Sequence, residues 1–293
     1  MKEIIQKLKK YEIQIRKAVN AHMSGEFKSV FKGTGLDFDD VRQYQYGDDV
    51  RTIDWNVTAR GQETYIKTYK EEKEQSVFFL IDISASQDIG KKGQKKSDIA
   101  KEITGVLTLS AVKESSNAGV IAFSDQKEFY IKAEKTQSHA AYIIGKLFKT
   151  IPKSKKTDIN RGISLALALI KRRSVVILIS DFIDKGYEKK LKALGNKHDL
   201  IVIHTYDQME SRLPGLGIIP VLEKESGKTR WVNTSLPGFR KKTARSLSQT
   251  TNYLKNFCRK YQIDYLPIDT GEDYVPKLVR LFKKRNLSWK SNA

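Results

Sequence analysis

The chain has 293 residues, 39% of them hydrophobic, enough to bury the core of one large domain or two small ones. No apolar run approaches the roughly 20 residues that span a bilayer. The single cysteine, Cys258, excludes an internal disulfide framework and a cysteine-based zinc site, and the formal net charge is +20.

The start, Met1-Lys2-Glu3-Ile4, runs into a charged amphipathic pattern and lacks a signal-peptide apolar region, so a cytoplasmic location is expected. Residues 1–22 predict one helix, because Ile4, Ile5, Leu8, Tyr11, Ile15 and Val19 fall at helical spacing and Gly25 sits past the end. Residues 26–72 mix Gly, Asp, Arg and aromatics with short extended runs such as Tyr65-Ile66-Lys67-Thr68-Tyr69, and predict a small irregular β-containing segment. From residue 76 the predicted order is strand, helix, strand, hairpin, helix, helix, strand. Val77 to Ile81, Val175 to Ile179 and Leu200 to His204 are apolar runs of buried-strand length. Ile218 to Val232 alternates around Ser226-Gly227 and predicts a hairpin. A helix over 241–262, a strand from Ile263 to Ile268 and a helix from Val275 to Lys284 complete the order. Strands alternating with helices imply an α/β fold with a mostly parallel sheet covered on both faces. The expected division is residues 1–75 as a helix and accessory β segment, and 76–293 as the α/β domain.

Chemistry concentrates at strand ends. Asp82-Ile83-Ser84-Ala85-Ser86 closes the first buried strand and is followed by a Gly/Lys-rich loop and a long helical pattern. Ligands of open α/β sheets bind at such strand mouths. One carboxylate and two hydroxyls are hard oxygen ligands, suited to Mg²⁺, Mn²⁺ or Ca²⁺. The plain alternative is a strand-end turn with a helix cap. Thr157-Asp158-Ile159 opens a second helical pattern, and Ser180-Asp181 ends a second buried strand. Asp82, Ser84, Ser86, Thr157 and Asp181 therefore fall where loops of one sheet edge can converge.

This arrangement resembles the von Willebrand factor A fold and its metal-ion-dependent adhesion site. That family has Asp-x-Ser-x-Ser, a distant Thr, and an Asp after a later strand, and all five positions have a match here in the same order. The resemblance implies that Ser84, Ser86 and Thr157 supply hydroxyl oxygens, while Asp82 and Asp181 supply charge directly or through metal-bound water. It leaves the sixth position to water or to an acidic residue of a partner. Many such domains have Gly after the second Asp, where this chain has Phe182.

A second resemblance lies upstream. Gly33-Thr34-Gly35-Leu36-Asp37-Phe38 leads to Arg42-Gln43-Tyr44-Gln45-Tyr46-Gly47-Asp48-Asp49, then Arg51-Thr52-Ile53-Asp54-Trp55 and Thr58-Ala59-Arg60. The pattern resembles the bacterial family called domain of unknown function 58. Its members are commonly encoded beside MoxR-type AAA+ ATPases and other A-domain proteins, so the resemblance implies partners of those kinds in a chaperone-like or metal-insertion system. Read from the residues alone, Arg42, Asp48, Asp49, Arg51, Asp54 and Arg60 suggest a buried Arg/carboxylate network around Trp55. A docking epitope is the alternative.

Enzyme motifs fail on inspection. In Gly90-Lys91-Lys92-Gly93-Gln94-Lys95-Lys96-Ser97, Lys95 stands where a phosphate-binding loop needs Gly. No Gly-x-Ser-x-Gly elbow is present, and His22, His139, His198 and His204 lack metalloprotease spacing. The expectation is a non-enzymatic, metal-dependent interaction or adaptor protein. The charge sets the rivals. Residues 1–75 carry 14 Lys or Arg against 13 Asp or Glu, so the other residues hold +19. Lys91-Lys92, Lys95-Lys96 and Lys153 to Lys156 form an expected basic rim at the proposed site. Nucleic acid and anionic membrane are the alternative partners, the latter through the basic last helix, and a solvated lysine face is the plain one.

Overall fold

The computed structural model describes residues 2–20, 36–59, 63–71, 76–91, 93–211, 215–222 and 229–290. Two compact units emerge, one of Met1–Phe31 with Ser76–Ala293 and one of Lys32–Gln75. Helix α1 (Lys2–Asn20) therefore groups with the large unit, not with an N-terminal accessory region of residues 1–75. The reason is its apolar stripe. Leu8 is fully buried in the main core, and Tyr11 meets Tyr274 edge to face at 5.8 Å. Lys7 pairs with Glu102 and Glu12 with Lys113 on either side of that stripe.

The small unit is built on an antiparallel pair, β1 (Leu36–Gln43) and β2 (Tyr65–Glu71), with a register shift between Phe38 and Asp40. Asp48, Asp49 and Asp54 each accept from nearby backbone N–H groups. Asp54 caps α2 (Trp55–Thr58) by accepting from the N–H groups of Asn56 and Val57 at 3.0 and 3.3 Å. Asp49 accepts from Arg51 N–H at 3.0 Å. Asp48 receives both Arg42 guanidinium nitrogens at 2.8 and 2.7 Å and Gln45 N–H at 2.8 Å, and these bonds hold its carboxyl below the usual range. The expectation that Trp55 is the buried centre of such a network is corrected. Trp55 is 69% exposed and Tyr46 is fully exposed. A four-residue helix leaves most of its N–H groups open, and a nearby carboxylate satisfies them before it can build a core. Arg60 and Gly33 to Gly35 lie outside the described residues.

The large unit is α/β. Its six-stranded sheet runs in the order β10–β7–β6–β3–β4–β5, where β3 is Ser76–Asp82, β4 Asn117–Phe123, β5 Lys127–Glu134, β6 Val175–Ser180, β7 Asp199–Tyr206 and β10 Asp264–Asp269. All neighbours are parallel except β5, which closes one edge antiparallel to β4. The apolar runs are continuous because both faces are covered. Val77, Phe79 and Ile81 of β3 pack toward α1, α3 (Lys96–Lys113), α4 (Gln137–Lys149) and α9 (Val275–Lys290). Phe78 and Leu80 pack toward α5 (Ile159–Leu169), α6 (Glu188–Lys197) and α8 (Pro237–Lys260). Each such fully buried side chain contributes about 1.5–3 kcal/mol of transfer free energy. A separate hairpin, β8 (Ile218–Leu222) with β9 (Thr229–Asn233), matches the alternation of that segment, and its turn residues lie outside the described set. Among the described residues no helix is long and apolar enough to cross a membrane.

Candidate metal centre

The chain leaves β3 to build β4 and β5 on one side, then returns to build β6, β7 and β10 on the other. The carboxyl ends of β3 and β6 flank that switch point, the place where open α/β sheets bind ligands. Asp82 is the last residue of β3, and Asp181 follows the last residue of β6. Thr157 arrives just before α5. Gly162 lets that helix pack closely, since a Cβ there would stand 2.6 Å from the Phe123 ring. Glu128 of β5 fixes the approach to Thr157 by accepting from Lys153 and Ser154 N–H at 2.9 and 3.2 Å.

The structure brings three hydroxyls into a triangle. Ser84 Oγ and Ser86 Oγ lie 3.0 Å apart, Ser86 Oγ and Thr157 Oγ1 3.3 Å, and Thr157 Oγ1 and Ser84 Oγ 2.7 Å. The separations allow a ring of hydrogen bonds in which each hydroxyl donates once and accepts once. They also suit one face of a metal octahedron. With Mg–O distances of about 2.0–2.1 Å, adjacent ligand oxygens lie about 2.9 Å apart.

Two carboxylates stand behind the triangle. Asp82 is fully buried, and its Oδ1 accepts from Ser84 N–H at 2.9 Å. Its Oδ2 accepts from Ser180 Oγ at 2.8 Å and Gln87 Nε2 at 3.4 Å. Burial, and then the negative charge of Asp181, push the Asp82 carboxyl well above the usual range. Two buried acids held this way form a site that gains from a cation, so the donor set fits a hard divalent ion. Asp181 Oδ1 accepts from Ile183 N–H at 3.2 Å, and its Oδ2 accepts from Lys96 Nζ at 2.8 Å.

Lys96 corrects the expected rim. Lys91, Lys153, Lys155 and Lys156 are exposed, but Lys96 is fully buried between Asp181 and Glu210, with Glu210 Oε1 at 2.9 Å from Nζ. Burial works against the ammonium, and the charges of Asp181 and Glu210 outweigh it, holding the amine above the ordinary lysine range. Burial pushes the Glu210 carboxyl up against the opposing pull of Lys96. Glu210 sits on the short helix α7 (Gln208–Ser211). The loop before α3 delivers the lysine through Lys96 N–H donating to Ile89 O at 3.0 Å. Gly90, at φ +128°, makes that turn possible, since a Cβ would stand 2.8 Å from Gln94 O. Sequence reasoning missed Glu210, Ser180 and Gln87 as well. Only the polar Ser180 and Gln87 beside the two motifs hinted at a supporting layer.

Phe182 has φ +55° and is buried. Glycine enters this left-handed region at little cost. Phe182 occupies it while packing its ring 5.6 Å from Tyr187 and 5.9 Å from His204. A cleft of about 660 Å³ opens beside it, lined in part by Asp181, Phe182, His204, Tyr206 and Glu210.

Proteins from Mycobacterium bovis and Mycobacterium tuberculosis, both described as uncharacterized, are similar to this chain. Each is 23% identical over 283 residues, which span 95% of this chain and 88% of theirs. Among solved structures, the conserved hypothetical protein BatB from Bacteroides thetaiotaomicron aligns over 75% of this chain and 100% of its own, at 14% identity and a TM-score of 0.46. An aerotolerance-related membrane protein from Bacteroides fragilis, carrying multiple mutations to serines, aligns over 72% and 99% at 15% identity and a TM-score of 0.45. The family described as "Protein of unknown function DUF58" matches residues 40–252. That stretch holds both the Arg/Asp motif of the small unit and the cluster from Asp82 to Asp181, and the chain belongs to this family.

Proposed function

We propose that this protein is a non-enzymatic recognition module that binds a partner through a divalent metal, Mg²⁺ first and Mn²⁺ or Ca²⁺ as alternatives. The observation that carries the reading is the hydroxyl triangle of Ser84, Ser86 and Thr157, with edges of 2.7–3.3 Å. These three oxygens would hold the metal, and Asp82 and Asp181 would balance its charge. A bound metal supplies an open position that an Asp or Glu of a partner can fill. Exposed Lys91, Lys153, Lys155 and Lys156 would steer an acidic surface toward it. By the family resemblance, the partner is a MoxR-type AAA+ ATPase, another A-domain protein, or both, in a chaperone-like or complex-assembly system.

The surrounding groups favour recognition over catalysis. His204 is held by burial at about 4 and bonds Tyr265 Oη at 2.9 Å. Burial pushes the Cys258 thiol up to about 12, which leaves it a poor nucleophile. Both Asp82 oxygens already accept hydrogen bonds. The test is a pull-down of wild type and Asp82→Ala with and without EDTA, across a salt series. The reading expects a protein partner that EDTA or Asp82→Ala releases. Capture of nucleic acid that ignores EDTA and falls steeply with salt would replace it.

A further inference from the structure

Among the described lysines Lys96 stands out because its whole side chain is buried. Its side chain is 0% exposed, that of Asp181 1% and that of Glu210 25%. An ammonium is buried at large cost unless it is paired and hydrogen-bonded, and both acceptors here come from distant segments, 85 and 114 residues away. The pairing engages Asp181 Oδ2, an oxygen of one of the two carboxylates that would balance a metal. The other oxygen, Oδ1, is tied to Ile183 N–H. Among Asp82, Asp181, Glu210 and Lys96 there are three acids and one fixed cation. A second cation must share Asp181 with Lys96, and the two positive charges repel in a poorly screened environment.

We infer that Lys96 is a built-in competitor of the divalent cation. In the metal-free protein its ammonium neutralises Asp181. When a metal draws on Asp181, Glu210 remains as the acceptor for the displaced ammonium. The consequence is a site of restrained intrinsic affinity, filled tightly only when an acidic partner adds its own negative charge to the metal. Metal and partner then bind with mutual reinforcement, and the metal binds more weakly without the partner than with it. The inference rests on the metal reading of the same site.

Calorimetric titration with Mn²⁺ and thermal unfolding, each on wild type, Lys96→Met, Glu210→Gln and the double variant, test it. Lys96→Met keeps the length of the stem and removes the charge. It should bind Mn²⁺ about tenfold or more tightly than wild type, a change of about 1.4 kcal/mol or more. Its metal-free melting temperature should fall, and Mn²⁺ should restore more of it than in wild type. Glu210→Gln should bind more weakly, because it removes negative charge and leaves Lys96 wholly to Asp181. Adding Lys96→Met to Glu210→Gln should recover the same gain of tenfold or more, and this pair decides the matter if Lys96→Met alone does not fold. Equal or weaker Mn²⁺ binding on loss of Lys96, in either background, overturns the competitor role and leaves the metal site standing, with Lys96 as a positioning residue for Asp181. No Mn²⁺ binding by any of the four proteins overturns the metal reading itself, and the inference with it.

Discussion

The strand-end cluster and the small unit use the same residue types to opposite ends. Around Asp82, carboxylates and hydroxyls join segments far apart in sequence, as in Ser180 to Asp82, Thr157 to Ser84 and Lys96 to Asp181. In the small unit, Asp48, Asp49 and Asp54 reach no farther than six residues in the bonds described above. The first pattern buries charge and ties distant segments together through it. The second shows its carboxylates capping and pairing locally, with Trp55 and Tyr46 facing outward. Acidic residues are therefore poor guides to a site until the distance to their partners is known.

The sharpest way to break this contrast is at Phe182, where the large unit accepts a left-handed backbone in exchange for a buried ring. Phe182→Ala keeps the unfavourable φ and loses the packing against Tyr187 and His204, and should cost about 3–5 kcal/mol in denaturant unfolding. A loss below about 1 kcal/mol would show that the ring does not compensate the backbone.

Acid sensitivity comes next. His204 is buried neutral, with its folded value at about 4 against an ordinary 6.5. Below pH 6.5 the unfolded chain takes up a proton that the folded chain refuses until about 4. His204 therefore costs no stability at pH 7, and stability falls as pH drops from 6.5 toward 4, by up to about 3 kcal/mol. His198 is lowered to about 4 by burial as well and adds to the same trend. His204→Gln should flatten the pH profile of the melting temperature over this window, and an unchanged slope would contradict the assignment.

The small unit should respond less. Asp54→Ala removes the α2 cap, a loss of about 1 kcal/mol for the cap alone, against about 3–5 kcal/mol for a broken buried ion pair. Thermal unfolding separates the two, and a loss in the larger range would restore a buried network. The smallest effect is expected for Trp55→Ala, whose side chain is mostly exposed. The melting temperature should stay near that of wild type, and a fluorescence maximum of Trp55 typical of a sheltered indole would contradict the exposed placement.

Much of this architecture was legible in the sequence, because the large unit obeys strong periodic rules. Runs such as Val175 to Ile179 have strand length and no polar residue, and the two acids sit where such runs end. The first strand of the small unit was not legible. Leu36–Gln43 carries Asp37, Asp39 and Asp40, which disfavour strands, and its order comes from pairing with Tyr65–Glu71. Trp55 read as buried because large aromatics usually are, yet it sits on a four-residue helix without a buried residue and is 69% exposed. Lys95 and Lys96 are adjacent and chemically identical. One forms an ion pair with Asp88 in the loop, and the other is fully buried, a difference set by partners that only the fold brings near.

The central claim is that the oxygens gathered at the ends of β3 and β6 hold a divalent metal. Calorimetric titration of wild type and Asp82→Ala with Mg²⁺ and Mn²⁺ tests it most directly, with circular dichroism to confirm that both are folded. The account predicts metal binding by wild type and weakened binding by a folded Asp82→Ala. Equal binding by both proteins, or none by either at millimolar metal, would contradict it.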